Sequence, residues 1–493
     1  MRLYLTRCAI ALCCLSNSLA LAEEAADPFG TKAMLPLRPA LRAGGAAGDP
    51  CAATMPGGAL NLPDVVNLAL CNNPQTREVW ASSRVQAAQV GVSKAGYLPS
   101  LSLGASGERN WTGALTNVNK HNVGLNLSYL LYDFGTRAAN LENTRQLLAA
   151  AFSTQDSTVQ SVFLSAVQSF YQTGAAIAAL DAARESERAA KESFAAAQAR
   201  YQAGSATPAD KLSAQTAYSQ ATLNRITAEG SMKNAKGSLA SLLGLDANQN
   251  VALADTGSTA SPRNASLVRS PQEGAANSTE NETLRTFERD VGALIEEARQ
   301  HRPDLQAAAA QLKAAEAGAD AARAASKPSV SLTASANQSS SAGIASQGSS
   351  VGVSISVPLF SGYAPTYRIH AAEAQVETQK ARLQGLRLKV ALDVWTAYQN
   401  LITATQSLRT TADLLGSAEQ SERVALGRYK AGMGNILDVL NAQSALASAR
   451  QQRIQSTFNW NVSRATLAQA MGNLDADVLQ ALPDQKAEQK GLQ

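Results

Sequence analysis

Two stretches of this 493-residue chain repeat one another. Arg200 to Gln215 reads RYQAGSATPADKLSAQ, and Arg428 to Gln443 reads RYKAGMGNILDVLNAQ. Arg200/Arg428, Tyr201/Tyr429, Ala203/Ala431, Gly204/Gly432, Asp210/Asp438, Leu212/Leu440, Ala214/Ala442 and Gln215/Gln443 coincide at one shift of about 228 positions, which marks an internal duplication. Each copy predicts a sharp turn between two helices. Gly204 and Gly432 stand where a helix ends in a left-handed residue, a conformation that costs glycine no Cβ clash. A new helix then starts at once: Thr207 caps it, Pro208 is its first residue and Asp210 its third, while Asn435 and Asp438 take the cap and third places in the other copy. The plainest role for both aspartates is local, because a carboxylate in a first turn satisfies free N–H groups and the helix dipole.

What flanks the turns is also duplicated. Residues 138–202 carry helical signal for about 65 residues without a proline, roughly 100 Å at 1.5 Å per residue, and 208–243 return for about 36. Ala364 to Lys430 forms the second long helix, with Leu383, Leu386, Val390, Val394, Ala397, Leu401 and Leu408 at helical spacing. Ahead of each long helix the period changes from 3.6 to 2. Leu101, Leu103 and Ala105 alternate with Ser100, Ser102 and Gly104, and Val123, Leu125 and Leu127 with Gly124, Asn126 and Ser128. In the second copy Val351, Val353 and Ile355 alternate with Gly352, Ser354 and Ser356. The expected layout is an irregular extension over 23–60, a first repeat over 61–245 (hairpin 97–135, tip near 204), a linker over 246–300, a second repeat over 301–473 (hairpin 327–362, tip near 432) and a tail over 474–493. If all helices span one height, each long helix should match its returning helix plus the helix, about 22 residues, that leads into the next strand.

The first 22 residues, with Arg2 and Arg7, an apolar run and Ala20-Leu21-Ala22, predict a cleaved export signal. Its removal takes Cys8, Cys13 and Cys14 and leaves Cys51 and Cys71, expected to form one disulfide in an oxidising compartment. Leu12 before Cys13 is too bulky for a lipid-anchor signal. No later run approaches the roughly 20 apolar residues of a spanning helix, so entry into a membrane requires a barrel. The formal charge of +4, with no basic run, argues against a nucleic-acid binder.

Two hairpins supply four strands, too few to close a barrel, and an open sheet in lipid leaves unpaired edges. Several chains must therefore share one. Three chains make about twelve strands, an even number within the range of outer-membrane barrels. Tyr97, Tyr132, Phe134, Phe360 and Tyr363 fall at the strand ends nearest the helices, where an interfacial aromatic girdle belongs. Pro99, Pro328, Pro358, Gly135 and Gly362 mark the same joints.

The paired hairpins, the duplicated long helices, the LYDFG and LFSG strand ends and the RY-x-AG turns with their following aspartate together resemble the TolC family of outer-membrane channel-tunnels, over nearly all of Leu60 to Leu474. The resemblance implies a mainly α protein with a transmembrane β part. It would be a homotrimer in outer-membrane lipid, with a twelve-stranded barrel continuous with a long periplasmic helical barrel whose far end is pinched shut. It places Tyr429, Asp438, Asn441 and Asp210 at or near that constriction, with Tyr201 the counterpart of Tyr429, and it puts Gly204, Gly432 and Gly434 at the hairpin tips that meet a periplasmic adaptor. The sequence departs from the family pattern at Asn441, where a second aspartate is often found, and at Gly434, a position that can hold an arginine of the closing network. In a threefold assembly, Asp438 and Asp210 would form carboxylate rings that attract cations and repel one another; both tyrosines are equally suited to packing between helices.

Little in the chain suggests catalysis. His121, His301 and His370 share no ligand spacing, so no metal or other cofactor is expected. Gly348-Ser349-Ser350-Val351-Gly352 matches a nucleophile-elbow pattern but opens a strand instead of joining strand to helix. The chain is read as a passive duct, driven by an inner-membrane ABC or proton-driven transporter through an adaptor. It leans toward type I protein secretion, in which it resembles the CyaE-like branch, with small-molecule efflux as the alternative. A periplasmic coiled-coil adaptor or adhesin would share the long helices but not the lipid-type strand alternation.

Overall fold

The computed structural model of the chain describes residues 27–35, 51, 58–112, 115–249, 251–254, 291–341 and 344–474. The expected export signal over 1–22, most of the linker and nearly all of the tail lie outside the described residues. Helix α1 (Leu62–Asn72) and α2 (Pro74–Ala95) lead into strands β1 (Ser100–Thr112) and β2 (Leu115–Tyr132), then helices α3 (Thr136–Gln202) and α4 (Pro208–Leu242). The second series runs α5 (Pro303–Ala324), β3 (Ser329–Ser341), β4 (Ile344–Ser356), α6 (Ala364–Lys430) and α7 (Ile436–Met471). Both long helices have 67 residues, and α2 and α5 have 22 each. The returning helices have 35 and 36 residues. Residues 291–301 are helical, all but the last inside the span expected to be linker, because Val291 and Ala298 are buried and give that stretch an apolar face to pack.

The chain divides into two compact units. One contains residues 83–148 and 316–373 and holds a four-stranded antiparallel meander, β1-β2-β3-β4. The two hairpins join through β2 and β3, with Leu125 opposite Ala336 and Leu127 opposite Ala334. Strict alternation places Leu101, Leu103, Leu125, Val123, Val351, Val353 and Ile355 on one face, where they are 42–77% exposed. The other face carries Ser, Thr, Asn and Gly, with hydroxyl pairs Ser331–Ser354 at 2.8 Å and Ser335–Ser350 at 2.9 Å. Ser350, the serine of the elbow-like motif, thus lies in a strand and pairs with another serine.

Strand gives way to helix through strained residues. Phe134 and Tyr363 have φ of 52° and 61°, beside Gly135 at 98° and Gly362 at 64°, a conformation that costs a non-glycine residue about 1–2 kcal/mol. At the first joint Asp133 holds the turn, accepting from the Arg137 N–H at 2.8 Å and Nε at 3.1 Å, while the Arg137 guanidinium lies 4.9 Å from the Tyr97 ring.

The second unit contains residues 149–315 and 374–493, together with 37–82. Val65, Val66, Phe163, Val167, Leu239 and Leu243 are buried in its largest cluster. Cys51 and Cys71 are joined by a disulfide, and Leu60 bridges to the start of the linker, donating to Ala252 O at 2.8 Å and accepting from the Ala254 N–H at 2.8 Å. The duplication extends to the helix ends. Gly244 after α4 (φ 72°) and Gly472 after α7 (φ 81°) each close a left-handed cap, with Leu245 N–H to Ala240 O at 2.9 Å and Asn473 N–H to Ala468 O at 3.0 Å. Gly244 abuts the Asn72 corner and Gly472 the Arg302 corner, the corresponding place in the second repeat. Arg302 grips Asp304 at 2.6 Å and Asp393 at 3.1 Å; burial pulls its guanidinium down, but these carboxylates outweigh that and hold it above its ordinary value.

A Cβ on Gly244 would lie 2.7 Å from the Asn72 carbonyl oxygen at a positive φ, whereas one on Gly230, inside α4, meets nothing within 4 Å. Gly244→Ala is therefore expected to destabilise the purified protein by about 2 kcal/mol or more, and Gly230→Ala to stabilise it by about 0.5–1 kcal/mol. Thermal unfolding followed by circular dichroism measures both. Equal midpoints for the two variants would contradict the close approach at Asn72.

Candidate functional site: the paired hairpin tips

Both tips end in the same backbone device. Gly204 (φ 73°) and Gly432 (φ 78°) let the chain leave α3 and α6. Ser205 N–H bonds Arg200 O and Met433 N–H bonds Arg428 O, each at 2.9 Å, while Gly204 N–H bonds Tyr201 O and Gly432 N–H bonds Tyr429 O, each at 3.0 Å. Gly434 serves a different purpose. A Cβ there would lie 3.0 Å from Tyr429 N and 3.2 Å from the Arg428 carbonyl carbon, so the second tip folds back onto the end of α6 where there is no free space for a side chain.

The next helices start unlike one another. Thr207 and Asp210 form a full capping box, with Asp210 N–H to Thr207 Oγ1 at 3.2 Å and Thr207 N–H to Asp210 Oδ2 at 2.9 Å. The Thr207 backbone N–H and then its hydroxyl hold the Asp210 carboxyl below its usual range. Asn435 caps α7 alone, accepting from the Leu437 N–H at 3.1 Å, and Asp438 returns no bond to the cap. Asp438 and Asn441, one turn apart on the exposed side of α7, share an open groove of about 600 Å³ with Arg428 of α6. Asp438 and Asn441 are thus brought together, while Asp210 is committed to its own helix start.

The paired tyrosines also part company. Tyr429 is 6% exposed and packs with Ala197, Ala214, Ile436 and Val439, whereas Tyr201 is 40% exposed under Lys211, 5.4 Å from its ring. Among the described residues the Tyr429 hydroxyl is buried without a hydrogen-bond partner. Sequence reasoning missed Arg200, whose guanidinium crosses between repeats to the Tyr429 carbonyl oxygen at 2.6 Å and lies 4.1 Å from the Tyr429 ring. The RY dipeptide is visible in both copies, but nothing local says which arginine crosses.

Three histidines lie apart: His121 in β2, His301 at the end of the 291–301 helix and His370 against Tyr367. Among the described residues no group of three His, Cys, Asp or Glu side chains is placed to hold a metal ion.

Because the folded Asp210 is depressed, its contribution to the α4 start is complete above the unfolded carboxylate value near 4 and is lost as pH falls through the folded value. Thr207→Ala is expected to cost about 1 kcal/mol at neutral pH and less at a pH below the folded Asp210 value, where the Asp210 N–H would still use the Thr207 hydroxyl but the hydroxyl loses its ionised acceptor. Amide exchange at residues 208–211, compared between wild type and variant at the two pH values, checks this; an equal effect at both would contradict the charged capping box.

The chain matches the outer membrane efflux protein family over residues 65–245 and 294–473. It is 32% identical over 432 residues to the protein CyaE of Bordetella pertussis, covering 86% of each chain. To the outer membrane protein TolC of Escherichia coli K12 it is 23% identical over 448 residues, covering 86% of this chain and 84% of that one. Its fold matches the crystal structure of the Campylobacter jejuni CmeC outer membrane channel with a TM-score of 0.70 at 19% identity, covering 93% of this chain and 99% of the channel. A mainly helical chain with four antiparallel strands, duplicated end to end, is therefore a member of the outer membrane efflux protein family, a TolC-type channel protein of the outer membrane.

Proposed function

We propose that three copies of this chain share one twelve-stranded barrel and carry a secreted polypeptide from an inner-membrane transporter and a periplasmic adaptor to the cell exterior. The observation that carries the reading is the sheet: four strands in one meander, an exposed apolar face of Leu, Val and Ile, and outer edges on β1 and β4 that pair with nothing else among the described residues. Thirteen or more residues per strand exceed the roughly 9–11 that cross a bilayer at a tilt. The exposed Tyr132, Phe134, Phe360 and Tyr363 at the helix-proximal ends suit the lipid–water interface.

Type I secretion is favoured over efflux because identity to CyaE, whose branch the sequence resembles, is higher than the 24% to the outer membrane efflux protein BepC of Brucella suis over a similar length. The family description keeps efflux of small compounds as the second reading. In either case the energy comes from the partner transporter, an ABC exporter for the first and a proton-driven pump for the second.

Within the helical part of the duct the α6–α7 tip is the gate. Asp438 is exposed, free of its helix cap and next to Asn441, so threefold repetition makes it a ring of carboxylates with amides beside it. Asp210 keeps the neighbouring tip folded. Gly204, Gly432 and Gly434 form the turns that an adaptor meets, and the Cys51–Cys71 disulfide ties the N-terminal extension to α1, closing a loop of the size that stabilises by about 3 kcal/mol.

In planar bilayers the wild-type protein is expected to show a small, cation-preferring conductance, and Asp438→Ala to lose most of that preference. Selectivity unchanged by the substitution would remove Asp438 from the pore. Cells lacking the protein should retain the polypeptide substrate of the partner exporter; retention of small toxic compounds alone would favour the efflux reading.

A further inference from the structure

We propose that the outer end of the β1–β2 hairpin carries a binding site for the phosphorylated sugar headgroup of an outer-leaflet lipid, built from Arg109, Trp111 and His121; the proposal rests on the barrel reading given above. The odd-numbered residues of β1 share one face of the sheet, and Leu101, Leu103 and Ala105 stand on it opposite Leu127, Leu125 and Val123. One step on, that face changes character. Gly107 stands opposite His121 and Arg109 opposite Asn119, with Trp111 following beside a shift in register. His121 leans over Gly107, where a Cβ would lie 3.6 Å from Nδ1, so its ring is on the same face as the leucines. The Arg109 guanidinium carbon is 5.7 Å from the centre of the Trp111 ring, which keeps the two side chains together.

Height along the strand places this group at a lipid surface. From Tyr132, in the girdle at the helix end, to His121 the strand runs about 37 Å at roughly 3.4 Å per residue, or about 27 Å of depth at a tilt of about 40–45°. The apolar band of an outer-membrane barrel is roughly 25 Å tall, so Arg109 and Trp111 fall just past its far border. A tryptophan suits that border. An arginine on the lipid face is costly inside the hydrocarbon and nearly free at the interface.

Arg109, Trp111 and His121 are all exposed, Trp111 to 73%. No carboxylate pairs with Arg109 among the described residues, because Glu108 belongs to the opposite face, where it stands across from Lys120. The guanidinium therefore keeps its planar fork of N–H donors for a ligand, a match for two phosphate oxygens, and His121 adds a ring N–H one row nearer the hydrocarbon. The outer leaflet of an outer membrane is built from phosphorylated glucosamine lipid, lipid A with its sugar chain, whose phosphates lie at this height. On the second hairpin the same rows hold Gln338 opposite Gln347 and Ser340 opposite Ala345, with no cation. Each protomer thus carries one site, on its first hairpin. Pairing with a neighbouring copy would use the backbone edge of β1 and leave this face uncovered.

The test is native mass spectrometry of the full-length protein, exchanged into lipid-free detergent and titrated with phosphorylated lipid A, with its dephosphorylated form and with phosphatidylglycerol. Wild type is expected to retain one molecule of phosphorylated lipid A per protomer and to hold it about tenfold more tightly than either other lipid. Arg109→Ala should lose that preference and Arg109→Lys keep part of it. Lys120→Ala, which removes a cation from the opposite face, should leave it unchanged.

Equal retention of the three lipids by wild type, or an equal loss of preference in Arg109→Ala and Lys120→Ala, would overturn the site. The same spectra count the chains: a trimer without lipid preference overturns the site and leaves the barrel reading standing, whereas a folded monomer removes both. Should Arg109→Ala fail to assemble, Trp111 decides. The emission difference between wild type and Trp111→Phe is expected to shift to the blue on adding phosphorylated lipid A and not on adding the dephosphorylated form; emission indifferent to the phosphates overturns the site.

Discussion

Backbone hydrogen bonding at a sheet edge is the constraint from which the rest of this architecture follows. Strands β1 and β4 each present one side with no partner in their own chain among the described residues. In hydrocarbon each unpaired N–H or C=O costs several kcal/mol, and the exposed Leu, Val and Ile of the alternate positions suit no other solvent. Closure with copies of itself, as proposed above, would satisfy both open edges of a sheet with a lipid-facing side. In the proposed assembly one protomer need only supply an arc, which would explain why so few strands accompany two 67-residue helices.

Duplication supplies the parts, and loss of symmetry between the copies makes them a device. Four helix ends close with a left-handed glycine, at 204, 244, 432 and 472, so the scaffold has kept its symmetry in the backbone. Side chains at the tips have not. Thr207 and Asp210 bond each other, whereas Asn435 caps alone and leaves Asp438 outside the cap. Tyr429 is buried and Tyr201 is not; Arg200 crosses between repeats and Arg428 does not. One hairpin therefore has its carboxylate engaged in its own cap, and the other carries a carboxylate outside its cap.

Much of this was legible in the sequence because it is written locally. Ala364 to Lys430 is bounded by Tyr363 at the strand joint and by Ala431-Gly432 at the tip, and the helix has those limits in the structure. The turn at Gly204, the cap at Thr207 and the alternation in β1 to β4 are all set by residues within a few positions of one another. The long helices lie where expected, but at 67 residues each exceeds a returning helix of 35 or 36 plus a leading helix of 22 by about ten, so the expected match in height is only approximate. Illegible features depend on distant packing. The Leu60 bridge to residues 252–254, the helix over 291–301 and the passage of Arg200 to Tyr429 each need a partner from another part of the chain. Gly434 is instructive too: the family pattern allows an arginine there, and only the structure shows Tyr429 N within 3.0 Å of where a Cβ would sit.

The central claim is that the sheet closes only with copies of the same chain, and the mass of the detergent-extracted particle tests it most directly. Native mass spectrometry of protein purified from outer membranes should give a single species of three chains that falls apart only when the strands unfold. A folded monomer that remains stable in detergent or in water would contradict the account.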